Sequence, residues 1–293
     1  MSKKSRVVTV GKKMCKLEWE ARFVVGKLRR GSSLTRKDML NCLGSIGRSM
    51  QRYGLNSIKD MKASHMARYV AELHGKNLSV SRIATHVTAM RMLCRMIGKP
   101  EIVPSNRELG CARDMVNRTK HADSRLNEAK AAEVQAQLSV NNSIAYQMAR
   151  HFGLRQKESL LSHKIVARYG VELLVVEGAK GGRPRMVAIT TEAQRAILVE
   201  NNAYRAENGG KLIDGDKNLR QGLKELQNEL AAAGATRESG ANMHTLRREW
   251  IIERCQAILA EPEEIRPALL ESLIESVGHG RIEVLRCYTR LTG

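Results

Sequence analysis

Aromatic side chains make up only 3% of this 293-residue chain, and that scarcity argues against base stacking on single strands as a binding mode, which needs rings in series. Long apolar runs are missing as well. No stretch approaches the roughly 18 apolar residues of a membrane-spanning helix, and the basic start, Met1-Ser2-Lys3-Lys4-Ser5-Arg6, is not followed by the apolar core and small-residue cleavage site of a secretory signal. The six cysteines, Cys15, Cys42, Cys94, Cys111, Cys255 and Cys287, form no C-x-x-C pair and have no histidine at metal spacing. Neither a zinc site nor a disulfide framework is signalled. The expectation is a cytoplasmic, nucleoid-associated protein that is neither secreted nor membrane-spanning, with no metal and no cofactor.

Acidic residues are also in short supply, 30 against 50 Lys+Arg, for a net charge of +20 and a pI near 10.0. That surplus favours a polyanionic partner and leaves DNA, RNA and anionic membrane open. It is unevenly placed. Residues 1–127 carry 27 basic and 9 acidic side chains, net +18, whereas residues 128–293 carry 23 and 21, net +2. An imbalance of that size repels itself unless a partner relieves it, so the first half is expected to grip phosphates.

The length accommodates two domains, each with its own core. In the first half, apolar residues recur at three and four, predicting helices over Leu17–Leu28, Thr35–Tyr53, a third N-capped by Ser64, and a fourth beginning at Ser79 or Ser81. The methionines of the fourth helix read as core filling rather than as a ligand surface. Periodicity fades after Gly98, where Pro100, Pro104, Asn106 and Gly110 punctuate the chain. The domain reading is a basic tail at 1–14, a helical module at 15–98, a linker at 99–126 with one short helix around Cys111–Asn117, and a second domain at 127–293. In that domain helices are expected at Glu128–Leu138 and Ile144–Phe152, then short strands at Ile165–Arg168, Glu172–Val176 and Arg185–Ile189, then helices at Glu192–Glu207, Lys217–Ala233, Leu246–Leu259, Pro267–Val277 and Ile282–Leu291. The fold class is thus mainly α with a small antiparallel β-sheet.

One ordered set of residues carries chemistry: Arg155, Lys180, His244, Arg247, His279 and Tyr288. Cutting a phosphodiester without water requires a nucleophile, charge neutralisation on the phosphate, and a proton for the departing oxygen. Tyr288 is the nucleophile candidate, since its phenol can store the bond energy as a phosphotyrosine ester; with an ordinary pKa of about 10 it needs local activation. Arg155 and Arg247 are candidates for clamping the nonbridging oxygens, because guanidinium forks donate paired hydrogen bonds and stay charged. The i,i+3 spacing of His244 and Arg247 puts both on one face of a helix start. Lys180, in a glycine-flanked turn between two expected strands, is placed to protonate the leaving oxygen, with Arg183 and Arg185 as nearby rivals. His279 is suited to donate to the phosphate or relay a proton. Glu158 is placed to fix the Arg155 guanidinium from behind. Taken singly, each has a bland explanation: a half-buried tyrosine, a solvated lysine, a chance H-x-x-R.

Taken in order, they resemble the tyrosine recombinase, or phage integrase, family. Gly153-Leu154-Arg155-Gln156-Lys157-Glu158-Ser159-Leu160 is similar to its first arginine box, with Ser159 intruding; Lys180-Gly181-Gly182-Arg183-Pro184-Arg185-Met186-Val187 resembles its lysine hairpin, with one basic residue changed to Arg. His244-Thr245-Leu246-Arg247 matches the H-x-L-R box, Val277-Gly278-His279 the L-G-H box, and Tyr288 follows His279 by the family's nine residues. More faintly, Ile58-Lys59-Asp60-Met61 and 78–96 look like the family's core-binding domain, so the resemblance spans about residues 15–293. It implies a four-helix core-binding domain followed by an α+β catalytic domain, the family roles for Arg155, Lys180, His244, Arg247, His279 and Tyr288, and a 3′-phosphotyrosine intermediate with a free 5′-hydroxyl. It further implies double-stranded DNA as partner, a tetramer on two duplexes, and an accessory directionality factor beside it. Integration or excision of a mobile element is the expected role, and resolution of replicon multimers the alternative.

The chain departs from the family pattern in three respects. The stretch from Arg247 to His279 is long and contains Glu261-Pro262-Glu263-Glu264, expected as a loop at the site's rim; only Thr289–Gly293 follow Tyr288; and residues 1–14 are too few for a separate arm-binding domain. The same residues would serve a type IB topoisomerase, and a non-cutting DNA-binding protein of this fold would carry the same basic module; the order of the boxes and the competence of all six positions favour the recombinase.

Overall fold

The computed structural model describes residues 14–26, 32–115, 125–182 and 185–278, and the chain divides into two compact units, Met1–Arg118 and Thr119–Gly293. In the first unit α1 (Lys16–Val25), α2 (Ser33–Arg52), α3 (Ala63–Gly75) and α4 (Val80–Met96) enclose a core of Leu17, Leu43, Ile46, Met50, Met66, Tyr69, Ile83, Val87, Met90 and Leu93. Of the methionines of α4, Met90 is fully buried and Met92 packs part-buried against the core, as expected, while Met96 at its end is exposed. Ser32 and Ser79 cap their helices, each Oγ accepting from a backbone N–H three residues on.

Two expectations change here. The third helix starts at Ala63, before Ser64: the Lys62 N–H donates to His65 Nδ1 at 3.1 Å, so a histidine closes the helix start and no serine is needed. The punctuated stretch after Gly98 also folds onto the first core, where Val103, Leu109 and Cys111 are buried. Within it lie two single turns, Pro100–Ile102 and Arg113–Met115.

The second unit runs α5 (Glu128–Gln137), α6 (Val140–Phe152), α7 (Gln156–Leu161), β1 (Ile165–Arg168), β2 (Val171–Val176), β3 (Arg185–Ala188), α8 (Glu192–Glu207), α9 (Leu219–Ala232), α10 (Met243–Leu259) and α11 (Arg266–Val277). The strands form one antiparallel sheet in the order β1-β2-β3, with Ile165 opposite Leu174 and Leu174 opposite Val187. Leu174, Val176 and Val187 turn one sheet face into a core shared with Ile144, Phe152, Leu154, Leu246, Ile251 and Val277. Burying each such side chain contributes roughly 2 kcal/mol. The helix α7 was not expected, because six residues are too few to display a period. The segment Glu261–Ile265 is the turn between α10 and α11. The helix expected at Ile282–Leu291 lies outside the described residues.

Candidate active site

Three helix ends meet in the second unit. The first is the break between α6 and α7, where Gly153 ends α6 in the left-handed region at φ +60°. A Cβ there would lie 2.4 Å from the Trp250 ring, so glycine is required by conformation and by space. Arg155 follows as the N-cap of α7, and the cap is made by Glu158, whose Oε2 accepts from the Arg155 N–H at 2.8 Å while Oε1 accepts from Arg155 Nη1 at 2.8 Å. The expected pairing of these two residues is present, and it orders backbone and side chain together.

The second is the start of α10. Asn242 caps it, its Oδ1 accepting from the N–H groups of His244 at 2.9 Å and Thr245 at 3.0 Å. His244 therefore sits, exposed, in the first turn, and Arg247 lies one turn further in with its side chain only 6% exposed. Arg247 Nη1 donates to the Gly153 carbonyl and Nη2 to the Val277 carbonyl, the latter at 2.7 Å. Desolvation, and then the positive charges of Arg237, Arg247, Arg248 and Arg155, hold the His244 imidazole below its ordinary value, so it is neutral at pH 7.

The third is the end of α11, where Gly278 adopts φ +66° immediately before His279. A Cβ at Gly278 would come within 2.9 Å of Arg185 Cδ and 3.9 Å of Arg155 Nη1. Gly278 thus lets α11 end directly against the two arginines.

At the junction lies Glu158, 1% exposed, facing Arg155, Arg185 and, at 3.9 Å, Arg247. Burial works to raise its carboxyl, but the charge of Arg185 and then the hydrogen bonds and charge of Arg155 outweigh it and keep the group ionised. Three guanidiniums against one carboxylate leave a positive surplus, the field that a phosphate would neutralise. Arg155 is the open member, its side chain 32% exposed.

Arg155, Glu158, His244 and Arg247 are accordingly brought together. Lys180 begins a tight turn between β2 and β3, with Gly181 at φ +80°. Arg185 does not fit its reading as a rival of Lys180: its side chain is 3% exposed and donates to Glu158 and to the Ser276 carbonyl, so it is built into the floor. Strand alternation carried the signal, since Arg185 shares the inward face with Val187. Arg183, His279 and Tyr288 lie outside the described residues.

Two family models match the chain, one described as "Integrase" over residues 111–253 and one as "Phage integrase, N-terminal" over residues 14–103. No curated protein matches significantly. Among solved structures, the chain is similar to a XerH site-specific recombinase bound to difH substrate, with a TM-score of 0.59 at 19% identity over 87% of this chain and 75% of that one. A lambda integrase dimer bound to a COC′ core site gives 0.58 at 14% identity, over 90% and 74%. The Tn1549 transposon integrase in complex with transposon right end DNA gives 0.53 at 13%, over 94% and 95%. At such identities the likeness speaks for the fold alone.

Proposed function

We infer the mechanism from one premise: the chain belongs to the tyrosine recombinase, or phage integrase, family, matched in both of its domains, and it acts in site-specific recombination by cutting and rejoining DNA. The observation that carries the site assignment is the convergence of Arg155 and Arg247 on the buried Glu158, with His244 on the helix start above them.

In this reading the scissile phosphate sits on the positive surplus, its nonbridging oxygens held by Arg155 and Arg247. Tyr288 Oη attacks phosphorus, the bond to the 5′ oxygen breaks, and a 3′-phosphotyrosine forms; the phenolic proton leaves through a neighbouring base, for which neutral His244 is suited, and Lys180 gives a proton to the departing 5′-hydroxyl. His279 donates to the phosphate. Rejoining reverses these steps with a 5′-hydroxyl from the partner strand, and since the ester keeps the bond energy no ATP is consumed. Duplex DNA is the partner, gripped largely by phosphate contacts of the basic first half. Four protomers on two duplexes complete the exchange, with a directionality factor as a further partner, in the cytoplasm. The role is integration or excision of a mobile element.

The test is to mix the protein with DNA flanking its own gene, quench with SDS, and look for a protease-sensitive covalent band. The band should form with wild type and vanish in Tyr288→Phe while DNA binding persists. A band that survives Tyr288→Phe would show that another residue is the nucleophile.

A further inference from the structure

Among the described residues Arg185 has the most deeply buried cationic side chain of the site, and the chemistry above uses its charge but not its contacts. Its guanidinium spans two elements: Nη2 donates to Glu158 Oε2, behind Arg155, and Nη1 to the carbonyl of Ser276 in the last turn of α11. Its own backbone belongs to β3, the strand that receives the chain from the Lys180 turn. Its aliphatic stem fills the space beside Gly278, the residue before His279. A phosphate cannot reach a side chain that is 3% exposed. A single residue thus joins β3, the carboxylate behind Arg155 and the last turn of α11.

We propose that Arg185 is a positioning residue for strand cleavage: by bridging Glu158 to the last turn of α11 it fixes the Arg155 guanidinium that is to hold the phosphate. The inference rests on the transesterase reading and deepens it. The bridge needs a fork. A lysine keeps the charge, but as a compact single ammonium it cannot hold the carboxylate and the carbonyl in one plane. Without the bridge Glu158 keeps its bonds to Arg155, but the pair is free to shift, and a displacement of about 1 Å at a reacting centre costs on the order of 100-fold in rate. Phosphate contacts elsewhere, which supply most of the affinity, are untouched.

The test uses the full chain and nicked duplexes cut from the DNA flanking its own gene, with single-turnover covalent attachment and DNA affinity measured separately. Arg185→Met should slow attachment about 100-fold and Arg185→Lys about tenfold, with affinity changed by less than about threefold. In an Arg155→Lys background the Arg185→Met loss should shrink to under about threefold, because the group it positions is already gone. An equal loss in both backgrounds would mark Arg185 as a general structural strut, and no loss in either would remove it from catalysis; each overturns the proposal. If Arg185→Met does not fold, the same cycle with Arg185→Lys decides. Absence of covalent product from wild type would refute the transesterase reading and this inference with it, whereas an active wild type with an unaffected Arg185 variant refutes the inference alone.

Discussion

In the proposed chemistry Arg155 and Arg247 share one role, but they stand in different environments, so their alanine variants should separate. Arg155 is partly open and its loss frees only Glu158; Arg155→Ala should cut covalent attachment about a thousandfold while the fold and DNA affinity hold. Arg247 is buried and satisfies the carbonyls of Gly153 and Val277, so Arg247→Ala should lose cleavage and also about 3 kcal/mol of stability. Denaturant titration beside a cleavage assay checks both; equal stability for the two variants would contradict the geometry. At this scale the sequence was informative where residues came in ordered boxes. Arg155, Glu158, His244 and Arg247 could be named because chemistry restricts the residue type and a helix restricts the spacing. Arg185 was read with Arg183 as one of two basic residues near one turn, and its role came from its burial on the inward face of β3, a property that strand alternation alone signalled.

The helix starts do the positioning. Asn242 holds the N-terminus of α10 through two hydrogen bonds, one of them to the His244 N–H itself. Asn242→Ala should therefore cost about 1 kcal/mol in stability and fray the turn that carries His244, lowering the cleavage rate more than the affinity. A hydrogen-exchange comparison of the first turn of α10 checks this, and unchanged protection there would refute it. The strands and long helices of the second unit were readable from period and glycine turns to within a few residues. The exceptions have local causes. A six-residue helix shows no period, and the α3 start uses a histidine where a serine was expected because a side-chain nitrogen can satisfy an orphan N–H as well as a hydroxyl can.

For the molecule as a whole, acid should act in two stages. His86, His151 and His244 all lie below the ordinary histidine value, the first two chiefly because burial penalises the charged ring, and the more open His244 through desolvation and then the positive charges of the arginines around it. Below about pH 6.5 the unfolded chain then binds more protons than the folded one. Stability should be level above that pH and decline as the pH falls through the folded values. A second loss follows below about pH 4.3, where Glu158 and Glu249, held ionised by arginines in spite of burial, must be protonated. Denaturation midpoints at neutral pH and near pH 5.5 check the first stage; identical midpoints would mean the imidazoles are not withheld from protons. Among the described residues no helix is long and apolar enough to cross a membrane.

By itself the sequence determined the family, the helix-rich architecture and the order of the chemical groups, because hydrophobic period, turn residues and reactive side chains are local properties. Only the tertiary structure decided that one buried carboxylate serves three arginines, and that the ends of α6, α10 and α11 close on it through Gly153 and Gly278. Those are contacts between residues far apart in sequence, Arg247 and Gly153 being 94 positions apart, created by packing, and what fixes them is which charges can be buried together and where a Cβ would not fit.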